Sequence, residues 1–195
     1  VCSERIMTER RAELVEGIAR ARSRGWSEVL VTVTLRHSVH DRLADLTDAL
    51  IDSWTRTITG APWRRLCERY GVKGNVTNLE ITVGRNGWHP HRHIVLLLDH
   101  KPDSAELATL EREISDRFRA MAAKNGRFVS KDYGVTVRGH AGVGRYITKW
   151  GAAAELSGGD LKDSAGLTPF RLLDLYSAGD HQAGEKFQEY ARAMQ

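Results

Sequence analysis

Three histidines at alternate positions, His89, His91 and His93 in the run His-Pro-His-Arg-His, follow closely on an Asn86-Gly87 pair that separates two extended stretches, residues 75–84 and 88–98. Asn-Gly between such runs is the strongest short-range hairpin signal, because a tight primed turn needs positive φ at both central residues. Side chains on a strand alternate between faces, so the three imidazoles project from one face. Counting outward from a two-residue turn sets Arg85 against Trp88, Gly84 against His89, Thr82 against His91 and Glu80 against His93. Directly opposed side chains share a face, with Cβ atoms about 4.5–5.5 Å apart. The hairpin is therefore expected to bring Glu80 into the row of imidazoles.

A core-facing alternative would have to bury all these polar groups, at a cost of several kcal/mol if they are unpaired. A ligand role explains them better. The expected metal set is Glu80, His91 and His93, with His89 as a candidate fourth. Nitrogen and oxygen donors without a nearby thiolate suit Mn²⁺ or Mg²⁺, and Zn²⁺ is also compatible. Thr82 is small enough to leave room for an ion. An ion with open positions would bind a phosphodiester oxygen and polarise phosphorus toward attack. His40, His100, His140 and His181 have no comparable company and read as ordinary histidines.

Such a site needs a nucleophile. In Arg145-Tyr146-Ile147-Thr148-Lys149 the pattern turns helical, and Tyr146 and Lys149, three apart, share a helix face. The ammonium can then sit beside the phenol or the phosphate it attacks. A Tyr-x-x-Lys motif arises often by chance, so its weight comes from the hairpin.

The remaining chain supplies a frame. Residues 5–22 favour a leading helix, and 29–35 alternate β-branched and aliphatic residues as a first strand. Leu43, Leu46, Leu50 and Trp54 form one apolar stripe of a second helix, and a short helix is expected over 63–70. Asp103 and Glu106 form a capping arrangement for a helix over 104–124 that Asn125-Gly126 closes. Residues 128–137 read as one or two short strands, 143–156 as helix, and 168–176 and 185–194 as closing helices. The four tryptophans besides Trp88 read as packing residues.

Composition sets the outer limits. With 195 residues, 41% of them hydrophobic, the chain can bury one sizeable core and is not a disordered polymer. No run approaches the roughly 20 apolar residues of a membrane span and no apolar leader is visible, so a cytoplasmic location is expected. Two cysteines, Cys2 and Cys67, argue against a disulfide framework. The net charge of +4 leans modestly toward a polyanionic partner.

Together these parts resemble the plasmid rolling-circle replication initiators (Rep) of the His-hydrophobic-His (HUH) endonuclease superfamily. Val31-Thr32-Val33-Thr34-Leu35 is similar to their first motif, Glu80-Ile81-Thr82 with Gly87-Trp88-His89-Pro90-His91-Arg92-His93 to the second, and Tyr146-Ile147-Thr148-Lys149 to the third. Leu167-Thr168-Pro169-Phe170 with Leu172-Leu173 resembles the segment that often follows. The resemblance implies an α+β fold, an antiparallel sheet of about five strands with helices packed on it. It implies that His91, His93 and Glu80 bind the metal and that Tyr146 attacks a phosphodiester of single-stranded or hairpin origin DNA. A covalent 5′-phosphotyrosine and a free 3′-hydroxyl would result, and the hydroxyl would prime a host polymerase.

Arg92 stands where relatives usually carry a hydrophobic residue; by parity it points to the opposite face. Gly142 occupies a place where some relatives carry a glutamate that activates water. Cys2 resembles the last cysteine of a Cys-x-x-Cys zinc element ahead of the domain. DNA contacts are expected at Arg36, His37, Trp88 and Arg145. Residues 1–195 are read as a single catalytic nicking domain, with 1–25 a helical segment and 158–195 a helical extension, cut from a longer chain. The competing readings are a conjugative relaxase or single-strand transposase with the same chemistry, a metal-dependent hydrolase using activated water, and a catalytically silent DNA-binding module.

Overall fold

The computed structural model describes residues 2–141, 143 and 166–195. Four antiparallel strands form one open sheet in the order β2-β3-β1-β4: β1 is Ser27–Thr34, β2 Val72–Gly84, β3 Gly87–Leu98 and β4 Val135–Arg138. Helices α1 (Cys2–Ser23), α2 (Leu43–Thr57), α3 (Gly60–Arg69), α4 (Ser104–Lys124), α5 (Pro169–Ser177) and α6 (His181–Ala193) surround it. The architecture is α+β, as expected, with four strands among the described residues where about five were anticipated. Of residues 128–137 only the end, from Val135, pairs as a strand. The preceding loop is tied to the continuation of β1 by two bonds, from the Arg36 N–H to the Phe128 carbonyl (2.8 Å) and from the Thr34 N–H to the Gly134 carbonyl (2.9 Å).

Helices α2 and α4 bury the stripes their sequence spacing defines. In α2, Leu43, Leu46, Leu50 and Trp54 are all buried. In α4 the buried stripe is Leu110, Ile114, Phe118 and Ala122, and the Asp103 carboxylate accepts from the Glu106 N–H at 2.8 Å to close the first turn. Such a cap contributes about 1 kcal/mol. These faces meet one side of the sheet, where Val29, Val31 and Val33 of β1 and Ile94, Leu96 and Leu98 of β3 complete the main core. A second cluster, Leu43, Leu46, Ile81, Val83, Trp88, Leu172 and Ala183, closes the hairpin end of the sheet beneath α5 and α6. Fully burying a side chain of this size stabilises by about 1.5–3 kcal/mol.

The opposite side of the sheet is covered unevenly. At one end Leu30 and Val95 pack against Leu14 and Ile18 of α1 and against Val143. Beyond that small cluster the same face carries the polar side chains of the candidate site. Among the described residues no helix is long and apolar enough to cross a membrane.

Candidate functional site

The hairpin forms, with its turn one step from the expected place. Gly84 pairs with Gly87, so Arg85 and Asn86 are the turn residues and Gly87 opens β3 with φ +88°. No non-glycine residue has positive φ among the described residues, so Asn86 does not adopt the primed geometry. A turn followed by a left-handed glycine is the alternative hairpin closure that Asn-Gly also serves. Gly87 is needed for space as well, since a Cβ there would lie 2.7 Å from the Ser38 carbonyl oxygen and 2.9 Å from the Val39 Cα.

This shift corrects the cross-strand partners. Glu80 opposes His91 rather than His93, Thr82 opposes His89 rather than His91, and Asn78 opposes His93. Because the slip is by two residues, parity is unchanged, and Glu80, Thr82, His89, His91 and His93 still share one face. The glutamate spans the diagonal, and His93 Nε2 lies 2.7 Å from Glu80 Oε2. A carboxylate only accepts, so Nε2 carries the proton and donates. In the neutral ring the other nitrogen, Nδ1, accepts from the Thr32 hydroxyl at 3.0 Å. Thr32 reaches it because β1 lies beside β3 with Thr32 opposite His93. Arg92 points to the other side of the sheet, as parity requires.

The imidazoles form a continuous row. Ring centroids of His37 and His89 are 4.4 Å apart, those of His89 and His91 3.9 Å, and those of His91 and His93 5.9 Å with nearly parallel planes. Burial, reinforced by the neighbouring His37, holds His89 down to about 4 despite the opposing influence of Glu80. Burial, reinforced by His89 and His93, likewise holds His91 to about 4. Both rings are neutral near pH 7 and keep a lone pair for a ligand. His37 entered the sequence reading only as a DNA contact. It sits just past β1, where its Nδ1 donates to the Asn86 carbonyl at 3.1 Å and ties the turn down.

Donor chemistry and geometry bear differently on a bound ion. Two or three imidazole nitrogens and a carboxylate on one face are the mixed set that a divalent ion accepts. Among the described residues, however, no three His, Cys, Asp or Glu donors already stand in an arrangement that could hold one. His93 Nε2 and Glu80 Oε2 are in direct contact, so an ion shared by both would replace their hydrogen bond with two bonds of about 2.0–2.2 Å. The donor types thus suit a divalent ion, while the described side chains do not stand in a coordinating arrangement.

Of the expected DNA contacts, Arg36 is exposed beside His37 at the end of β1. Trp88 corrects the reading, because it is fully buried in the cluster under α5 and α6, with the Lys186 ammonium 5.5 Å from its ring centre. On β3 its position has the opposite parity from the histidines, so it faces the core and offers no surface to a base. Arg145, Tyr146 and Lys149, with Gly142 and Trp150, lie outside the described residues. The chain leading to them is anchored, however: His140 Nδ1 lies 2.6 Å from the buried Glu28 carboxylate, which also pairs with Arg22, and Val143 is fully buried against Leu30 and Val95. Sequence reading missed Thr32 as the partner of His93, because nothing in the hairpin itself reveals which strand adjoins β3.

No protein-family profile matches the chain. It is 31% identical to "Protein rep" of Streptomyces lividans over an alignment of 229 positions that covers 89% of this chain and 50% of that protein. It is 33% identical to "Neomycin resistance protein" of Streptomyces cyanogenus over 123 positions, half of this chain and 28% of that protein. A hydantoinase/carbamoylase family amidase structure from Burkholderia ambifaria shares 17% identity over 58% of this chain and 26% of its own, with a TM-score of 0.28, a likeness that carries no argument. This α+β chain with its row of imidazoles is thus similar in sequence to a protein named for Rep. Its relative in Streptomyces lividans is "Protein rep", of which this chain spans about half the length.

Proposed function

We propose that this chain is the nicking part of a plasmid replication initiator of the HUH type, cutting and rejoining single-stranded DNA at a replication origin through a covalent 5′-phosphotyrosine. The observation that carries the reading is the shared sheet face: Glu80, His89, His91 and His93 lie on the side against which Val143 packs, three residues before Tyr146. Tyr146 follows Val143 by three positions in the sequence, which is the link between the phenol and this face in the proposal. The name of the Streptomyces lividans relative supports the replication role.

The chemistry follows from the residues. Tyr146 Oη attacks phosphorus, the bond from phosphorus to the 3′ oxygen breaks, and that oxygen leaves as a 3′-hydroxyl after taking up a proton. Lys149, three residues after the tyrosine in the sequence, would favour the phenolate and balance charge on the phosphate. Rejoining is the reverse, attack of a 3′-hydroxyl on the phosphotyrosine. His91, His93 and Glu80, with His89 beside them, would hold a divalent ion, Mn²⁺ or Mg²⁺ by donor type. When bound, it supplies Lewis-acid polarisation of the scissile phosphate. Thr32 fixes the plane of His93, as an outer partner does for a ligating imidazole.

The test is incubation of single-stranded origin oligonucleotide with the protein and Mn²⁺, followed by a denaturing gel. A protein-DNA adduct that disappears in Tyr146→Phe is expected. Clean hydrolysis without an adduct, as for a hydrolase using activated water, contradicts the reading. The extended imidazole row also suits a conjugative relaxase, and cutting of a transfer origin in preference to a replication origin would select that alternative.

A further inference from the structure

We propose that the cleft beside His89 is the binding site for one unpaired base of a DNA strand, which it grips through Phe128 and Tyr133. The inference rests on the nucleic-acid reading above and adds the place and the mode of grip.

The cleft has a volume of about 500 Å³ and lies at the end of β1, between the hairpin turn and the loop that joins α4 to β4. Its lining includes Arg36, His37, His89, Phe128, Lys131 and Tyr133. Two of these, Arg36 and Lys131, are cationic, and no carboxylate is among the lining residues, which suits a polyanion. Phe128 is 76% exposed and Tyr133 79%, the highest values among the large apolar or aromatic side chains that stand out to solvent in the described residues. Burial is the rule for phenylalanine, so a large aromatic left open beside cations calls for an occupant.

The loop presents these rings from a fixed backbone. Its two carbonyls accept from the N–H groups of Thr34 and Arg36, the Gly134 N–H donates to the Ser130 carbonyl at 3.1 Å, and Val129 is buried in the main core between the exposed residues. Gly134 is confined as well: a Cβ there would come within 2.2 Å of Val129 Cγ1 and 2.6 Å of the Ser130 oxygen. A loop with a pinned backbone and outward aromatics loses little conformational freedom on binding. Aromatic faces flanked by cations are the recurrent solution for unpaired bases, since every base offers a π surface while the phosphates meet the charges. His89 belongs both to the cleft and to the imidazole row, so a strand held by its base here would carry its backbone onto the candidate catalytic face.

The experiment measures affinity for a fluorescein-labelled 12-nucleotide oligo(dT) by anisotropy, in chelator and at low salt, so that no cutting intervenes. Phe128→Ala and Tyr133→Ala are each expected to weaken binding about tenfold, with unchanged thermal melting because both rings are exposed. Phe128→Trp should retain affinity, and the fluorescence of the introduced indole should be quenched when the oligonucleotide binds. Affinity of the Phe128→Ala, Tyr133→Ala double variant within twofold of the original, absence of oligo(dT) binding by the unaltered chain, or equal affinity for a blunt duplex would each overturn the proposal. The two readings fail separately: aromatic-dependent binding without any adduct removes the nicking assignment and leaves the cleft, whereas adduct formation with a fully competent double variant removes the cleft alone.

Discussion

The Glu80 carboxylate reaches diagonally across the hairpin to accept from His93 Nε2 at 2.7 Å, while the Thr32 hydroxyl on the neighbouring strand lies 3.0 Å from the Nδ1 of the same ring and donates to it when the ring is neutral. An ion at Nε2 displaces that proton, and the neutral ring must then carry its hydrogen on Nδ1 and donate to Thr32. The threonine hydroxyl can switch between donor and acceptor, and valine cannot. Thr32→Val is therefore expected to lower Mn²⁺ affinity about tenfold, within the usual range for outer partners of ligating imidazoles. Calorimetric titration checks this, and unchanged affinity would remove Thr32 from the site.

The corrected register ranks the histidines. Glu80 lies opposite His91 and bonds to His93, whereas His89 faces Thr82 and leans toward His37. Removal of His91 or His93 by alanine should weaken Mn²⁺ binding more than removal of His89. A larger loss at His89 would shift the centre of the site toward the turn.

Protons provide an independent handle. Both His89 and His91 titrate near 4 in the folded chain, below the ordinary value of 6.5. As pH falls from 6.5, the unfolded chain binds protons at these positions before the folded one does, so unfolding becomes easier. Stability is thus fully present above about 6.5, declines between 6.5 and 4, and levels off below. Urea midpoints across that window should fall for the original chain and fall less steeply for a His89→Gln, His91→Gln double variant. Identical slopes would contradict the burial of these rings.

Trp88 is a structural residue in this account. Trp88→Ala should cost about 3–5 kcal/mol of unfolding free energy, the usual range for a large buried aromatic. The fraction that stays folded should bind oligo(dT) as the original does. Unaltered stability with lost binding would restore the tryptophan as a DNA contact.

Much of this was legible from residue order because it depends on short-range periodicity. The stripe Leu43, Leu46, Leu50, Trp54 and the Asp103 cap are local signals, and the alternation of His89, His91 and His93 fixes their common face whatever the turn. The turn geometry was less legible, since Asn86-Gly87 satisfies two hairpin closures and the choice depends on the fit of Gly87 against Ser38 and Val39. That ambiguity moved Glu80 by two positions without moving it to the other face. Trp88 misled because residues near a hairpin tip are usually exposed, whereas here α2 and the returning helices α5 and α6 cover it. The contacts of Thr32 and the exposure of Phe128 and Tyr133 depend on strand order and loop anchoring, which single-sequence patterns do not encode.

The most direct test of the central claim is to trap the covalent product of single-stranded origin DNA with Mn²⁺, trim it with nuclease and map the modified peptide by mass spectrometry. A nucleotide phosphate on Tyr146 is expected, absent when Glu80, His91 and His93 are all replaced. A phosphate on any other residue, or an adduct that forms equally well without those three side chains, would contradict it.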